Sequence, residues 1–150
     1  MSAPDSNRLQ ALFVSHAANH GYTVLSDAAT VDAFIAGPGD RVLLLAEDPR
    51  LVPESWDVAV VLPHVLTSVG NRIQAGLVPP VAAKAVAARH AIKLWPALLF
   101  VREGEHVGAI EGMRDWSVYA EEIPAMLERP TGRVPGVGIP VMSATGTGCS

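Results

Sequence analysis

Four carboxylates lie within eleven residues near the middle of the chain: Glu47, Asp48, Glu54 and Asp57. Two carboxyl groups can act as general acid and general base when they face each other across a pocket with separated pKa values. The same groups can receive a Lys or Arg side chain of a partner, or form a solvated loop in which Ser55 or Asp57 caps the next helix. Only Arg50 offsets their charge, and the sequence leaves all three interpretations open.

The other side chains that could do chemistry are one cysteine and five histidines: His16, His20, His64, His90 and His106. Only His16 and His20 have the i, i+4 spacing of a helical ligand pair, and no third ligand of the kind found in HExxH motifs lies near them. We therefore expect no metal and place the histidines at surface or capping positions. The single thiol, Cys149, excludes an internal disulfide and a cysteine metal cluster.

Composition excludes several classes of protein. Of the 150 residues, 49% are hydrophobic and 17% are charged, which is the composition of a folded chain with one core. The net charge of −4 and the lack of any Lys/Arg cluster argue against a nucleic-acid partner. The first residues reach Asp5 and Arg8 before any apolar run, unlike a signal peptide, and no apolar run could span a membrane. We expect a cytoplasmic protein.

Hydrophobic periodicity predicts the elements of the first 91 residues. In chain order these are a helix from Asn7 to Gly21, a short strand 22–25, a brief helix capped by Thr30, a buried strand 42–46, a helix 57–72, a strand 75–81 and an alanine-rich helix 82–91. The uninterrupted apolar run at 42–46 is typical of a central strand that is covered on both faces. Pro63 lies in the first turn of its helix or kinks it.

The next residues predict a β-hairpin and a closing helix. Strands 97–101 and 106–110 flank the turn 102–105, and Asp115 caps a helix with one apolar side: Trp116, Tyr119, Ile123, Met126 and Leu127. This order predicts an α/β three-layer sandwich with a central mixed sheet and flanking helices. Eight of the 25 Gly and Pro residues fall in the last 21. We therefore expect a folded domain 1–129 and a flexible tail 130–150.

Two segments carry a resemblance to a known family: AEDPRLVPESWDVAVVLPHVL at 46–66 and WPALLFVREGEHVGAIEGMRDW at 95–116. The order of elements resembles the thioredoxin fold. The two segments together resemble the HupG/HyaE family of NiFe-hydrogenase accessory proteins, over about residues 7 to 128. A thioredoxin needs two cysteines two residues apart after its central strand, whereas residues 47–55 of this chain contain none.

The resemblance implies a redox-inactive, thioredoxin-like chaperone for hydrogenase maturation. Its partner would be the hydrogenase small-subunit precursor, which carries a twin-arginine export signal, and no cofactor is implied. The partner surface would include the four carboxylates together with Trp95 and Pro96, joined by a cis peptide bond beside the former active-site loop. Alternatively, Pro96 only shapes the turn and Trp95 is a core residue.

Two further functions stay open at this stage. One is a small enzyme that uses the carboxylates of the segment from Glu47 to Asp57. The other is a thioredoxin-like interaction module for an unrelated partner. The sequence also leaves weak homodimerisation open, and it does not say whether the export signal or the mature subunit is recognised.

Overall fold

A computed structural model describes residues 4–132 of the chain. The helices are α1 (Ser6–His20), α2 (Ala28–Ala36), α3 (Glu54–Thr67), α4 (Pro80–Arg89) and α5 (Trp116–Glu128). The strands are β1 (Thr23–Val24), β2 (Asp40–Leu45), β3 (Gln74–Val78), β4 (Ala97–Arg102) and β5 (Glu105–Glu111). These elements follow one another in the predicted order.

The five strands form one mixed sheet with the order β1-β3-β2-β4-β5. β3 pairs in parallel with both β1 and β2, whereas β4 is antiparallel to β2 and β5. The central position of β2 explains its apolar sequence, because Val42 and Leu44 enter one core while Leu43 and Leu45 enter the other.

Helices cover both faces of this sheet. The first core joins it to α1, α3 and α5 through side chains such as Phe13, Leu62 and Ile123. The second core joins it to α2 and α4 through Phe34 and Val86. The predicted three-layer α/β sandwich is therefore confirmed.

The edge strand β5 is tied to the C-terminal part of the described chain. The carbonyl of His106 accepts a hydrogen bond from the backbone N–H of Gly132 at 2.8 Å, and the carbonyl of Glu111 accepts one from Nε of Arg114 at 2.9 Å. On the face of this strand a Cβ at Gly108 would lie 2.6 Å from a guanidinium nitrogen of Arg129. The side chain of Met126 in α5 also lies against this glycine, so a larger residue here would displace the ends of two flexible side chains.

Several predicted helix ends need correction. Gly21 ends α1 with φ +71°, as expected, but the N-cap of α2 is Asp27, and Thr30 completes a capping box with it from the third helical position. Neither Ser55 nor Asp57 caps α3: this helix follows Pro53 and has no side-chain cap. Because α3 begins at Glu54, Pro63 lies in its interior.

The closing helix α5 differs from the prediction at its first residue. Asp115 is the N-cap residue, but its side chain makes no capping hydrogen bond, and Trp116 is 52% exposed although the pattern placed it on the apolar side. The predicted tail begins at Pro130, and its residues 133–150, including Cys149, lie outside the described residues. Between residues 4 and 132, no helix is long and apolar enough to cross a membrane.

Candidate functional site

Three connecting segments meet at one end of the sheet. Leu45, the last residue of β2, pairs with Ala97, the first residue of β4, and Ala97 pairs with Glu111, the last residue of β5. The segments after Leu45, before Ala97 and after Glu111 are therefore neighbours in space. This arrangement brings the start of the carboxylate segment, just after Leu45, close to Pro96, which is the neighbourhood that the family resemblance implied.

The peptide bond between Trp95 and Pro96 is cis, as predicted. The Pro96 carbonyl accepts a hydrogen bond from the N–H of Gly112 at 2.7 Å. One oxygen of Glu111 accepts bonds from the backbone N–H groups of Lys93 and Leu94, at 2.6 and 3.0 Å. The segment before β4 is therefore held by the end of β5 and the residue that follows it. Trp95 is half-buried against the second core and Pro96 is buried, so this dipeptide presents only part of the indole to a partner.

Glu47 and Asp48 are largely engaged within the chain. The N–H of Asp48 donates to a Glu47 carboxylate oxygen at 2.8 Å, and the Lys84 amine lies 3.9 Å from the other oxygen. Arg50 forms an ion pair with Asp48 at 3.0 Å, and this hydrogen-bonded guanidinium lowers the pKa of the Asp48 carboxyl. The backbone N–H of Glu47 donates to the buried Ser55 hydroxyl at 3.1 Å. These contacts support a structural role for the first two carboxylates.

Glu54 and Asp57 occupy a different environment. Both lie in the first turn of α3, where a negative charge is favourable beside the positive end of the helix dipole. Both are exposed. Within residues 4–132, no ion pair or hydrogen bond engages either carboxylate. This half of the acidic segment is therefore accessible to a partner.

A cavity of about 320 Å³ adjoins this helix start, and its walls are Pro4, Pro49, Arg50, Pro53, Trp56 and Asp57. Sequence reasoning missed Trp56, whose indole is half-buried against the first core and lies 5.3 Å from the guanidinium carbon of Arg8. Its position gave a signal in the sequence, since Trp56 lies between Ser55 and Asp57, the two candidate helix caps. Asp57 is the only one of the four carboxylates in the cavity wall.

Two of the five histidines, His16 and His106, are neither at the surface nor at a cap, which corrects the prediction, whereas His90 is the C-cap residue of α4. His20 and His64 are exposed, but His16 and His106 are buried and His90 is half-buried. Nδ1 of His90 lies 3.2 Å from Nδ1 of His106, with the two rings stacked. Burial lowers the pKa of His90 from 6.5 to about 4, and the charge of His106 makes a smaller contribution in the same direction. No group of three metal-ligating side chains occurs among the described residues.

The fold and the composition of this site define a class: a thioredoxin-fold protein without cysteines in the segment after its central strand. One solved structure of similar fold is a thioredoxin of Plasmodium falciparum. It has a TM-score of 0.55 and 11% identity, and the alignment covers 71% of this chain and 96% of that one. This similarity shows the fold alone.

Sequence comparison identifies the family. Residues 12–119 match the model of the family described as "Hydrogenase-1 expression protein HyaE". The chain is 37% identical over 120 residues to the hydrogenase expression/formation protein HupG of Bradyrhizobium diazoefficiens, covering 77% of this chain and 81% of the relative. It is 40% identical over 124 residues to HoxO of Cupriavidus necator, covering 81% and 77%.

The chain therefore belongs to the HyaE family of hydrogenase expression proteins. Its role is that of an accessory protein in hydrogenase expression and formation.

Proposed function

We propose that this protein is a redox-inactive chaperone that binds the precursor of the hydrogenase small subunit on the cytoplasmic side, before export. The recognised element is the basic part of the precursor's twin-arginine signal. The contact surface comprises the residues predicted from the sequence: Glu47, Asp48, Glu54, Asp57, Trp95 and Pro96. Glu54 and Asp57 make its principal charged contacts.

The observation that carries this proposal is the pair of exposed carboxylates at the start of α3. Neither Glu54 nor Asp57 forms an ion pair within residues 4–132. A basic segment can therefore bind them without breaking an internal ion pair. Glu47 and Asp48 contribute mainly to the local potential, since Lys84 and Arg50 already contact them. Charges arranged in this way favour encounter and orientation of an oppositely charged partner.

The redox part of the proposal rests on thiol chemistry. Dithiol exchange needs a nucleophilic thiolate and a second thiol that resolves the mixed disulfide. Residues 47–55 contain no cysteine, and the chain has only Cys149. We expect the protein to leave insulin disulfides intact in the presence of a reductant that supports thioredoxin turnover. We also expect Cys149→Ser to leave precursor binding unchanged.

Titration calorimetry with purified components tests the proposal. The ligands are the small-subunit precursor, the mature subunit without its signal, and the isolated signal peptide. We expect the precursor and the signal peptide to bind, with affinity that falls as salt rises, and the mature subunit to bind weakly. Absence of binding to the precursor contradicts the proposed partner, and equal binding of the precursor and the mature subunit contradicts recognition of the signal.

A further inference from the structure

The cavity beside the start of α3 has walls that are largely apolar. Three of its six wall residues are prolines, whose φ is fixed by the ring. Pro49 is buried, and the indole of Trp56 is fixed against the first core. Proline rings and a packed indole lose little conformational entropy when a ligand binds. The cavity suits an apolar chain segment such as the stem of a long side chain.

The polar part of the same cavity carries an available negative charge. Asp57 lines the cavity, is exposed and has no ion pair within residues 4–132. The wall also contains Arg50, but Asp48 holds its guanidinium at 3.0 Å and compensates its charge. Glu54 lies one helical turn before Asp57 and adds negative potential. The cavity therefore favours a cation.

The indole of Trp56 narrows the choice of cation. The guanidinium carbon of Arg8 already lies 5.3 Å from its ring centroid, although Arg8 is not one of the cavity walls. That contact lies outside the cavity, so the part of the Trp56 side chain that lines the cavity is left for a second guanidinium within cation–π distance. A planar guanidinium can contact an aromatic surface and a carboxylate together, whereas a lysine ammonium offers only a point charge.

We infer that the cavity between Trp56 and Asp57 binds an arginine side chain of an extended partner peptide. The aliphatic stem lies along Pro49 and Pro53, and the guanidinium contacts the indole and the Asp57 carboxylate. This inference rests on the proposed function only in taking the basic segment of the precursor as the natural ligand. It goes further by assigning one arginine to one defined pocket.

A small probe tests the pocket without the precursor. The chain has three tryptophans, so its indole N–H groups give three NMR signals, and Trp56→Phe identifies the one from Trp56. The full-length ¹⁵N-labelled protein is titrated with acetyl-Gly-Arg-Arg-Gly-amide and, separately, with its Lys-Lys counterpart. We expect the Trp56 signal to shift with the arginine peptide and to respond more weakly to the lysine peptide. Equal responses, or none, overturn the inference.

Two substitutions separate the charge from the ring. Asp57→Asn changes an exposed side chain and should preserve the fold, while Trp56→Phe keeps an aromatic ring. We expect Asp57→Asn to weaken binding of the arginine peptide by about fivefold, given the size of exposed ionic and cation–π contacts. Asp115→Asn and Trp116→Phe are matched controls at another helix start and should leave the affinity unchanged. An unaffected Asp57→Asn variant contradicts the assigned pocket.

The precursor then separates this inference from the proposed function. If the precursor binds normally to Asp57→Asn and its twin arginines can be replaced by lysines at no cost, the arginine pocket is wrong and the chaperone function stands. If the precursor does not bind the unmodified protein, the proposed function is wrong, and the tetrapeptide result decides the pocket alone. A Trp56 response seen only after removal of residues 1–3 means that the chain fills its own pocket and also overturns the inference.

Discussion

The imidazole of His16 lies 2.8 Å, through Nε2, from the carbonyl oxygen of Ala59 in α3. Ala59 precedes Pro63 by four residues, so this carbonyl is the one that the N–H of residue 63 would bond in an uninterrupted helix. Proline has no N–H, and the freed carbonyl is fully buried with its residue. His16 on α1 supplies the missing donor, which requires its neutral Nε2–H tautomer or the imidazolium.

This contact predicts that His16 and Pro63 are energetically coupled. Replacing His16 by Leu leaves a buried carbonyl without a donor, and we expect it to lower the free energy of unfolding by about 1–3 kcal/mol. In a Pro63→Ala background the helix supplies its own N–H, so the same change should cost about 1 kcal/mol less. Urea unfolding of the four proteins of this double-mutant cycle measures the coupling. Exposed His64→Leu is the control, and strict additivity of the two changes contradicts the coupling.

The stacked pair of His90 and His106 predicts a loss of stability in acid. The pKa of His90 is lowered from 6.5 to about 4, so the folded state binds this proton less readily than the unfolded state. The contribution of a neutral His90 is therefore complete above about pH 6.5 and is lost as the pH falls toward 4.

Urea midpoints measured at several pH values between 7 and 4 check this expectation. The midpoint of the unmodified protein should fall more steeply than that of His90→Gln. Burial also lowers the pKa of His16 and His106, so the variant should keep part of the slope. Identical slopes for the two proteins would show that His90 does not contribute.

Glu47 and Asp48 are engaged within the chain, whereas Glu54 and Asp57 are accessible. We therefore expect the two pairs to affect precursor binding unequally. Reversing Glu54 and Asp57 to Lys should weaken binding by about three- to thirtyfold at low salt, because an exposed ion pair contributes about 0.2–1 kcal/mol and each reversal adds repulsion. Stability should fall by about 1–2 kcal/mol, because two lysines replace two carboxylates beside the positive end of the α3 dipole, although neither carboxylate loses an ion pair within the described residues.

Calorimetry at two salt concentrations measures this effect. Glu121→Lys with Glu128→Lys, two exposed positions on α5, gives the same change in net charge at another surface. Reversal of all four carboxylates is expected to weaken binding further. If the control weakens binding as much as Glu54→Lys with Asp57→Lys, net charge rather than this surface governs the interaction.

The bond between Gly132 and His106 predicts where the chain can be shortened. We expect removal of residues 133–150 to leave the free energy of unfolding unchanged. Removal of 130–150 also deletes the 2.8 Å hydrogen bond to His106 and should cost about 0.5–1.5 kcal/mol. Thermal unfolding of the two truncated proteins compares their stabilities. A large loss of stability in the first protein would show that residues after 132 dock on the domain.

Local patterns predicted most of the fold because each such feature depends on neighbouring residues. Gly21 ends a helix, the apolar run 42–46 forms the central strand, and the Trp95-Pro96 dipeptide precedes a hairpin. Asp27 and Thr30 show a limit of such patterns. Both are residue types that cap helices, and the two residues are three positions apart. The sequence cannot tell which comes first in the capping box.

Features that depend on distant residues could not be predicted. His16 is buried because of a carbonyl 43 residues away, and nothing near it in sequence indicates that partner. Periodicity assigned Trp116 to the side of α5 that carries Tyr119, but a pattern gives the direction of a side chain and not what lies opposite. The sequence identified the four carboxylates only as one group. Their division into engaged and accessible pairs depends on Lys84 and on the folding of the loop around Arg50.

The way in which the two edge strands of the sheet are protected affects whether this protein aggregates. An unprotected edge strand offers backbone groups to any other extended chain and promotes aggregation by edge-to-edge pairing. Here β1 has only two residues, and at β5 the carbonyls of His106 and Glu111 are already bonded to Gly132 and Arg114. The sheet thus offers little template for another extended chain to join its strands. Any self-association should accordingly use helical surfaces or loops.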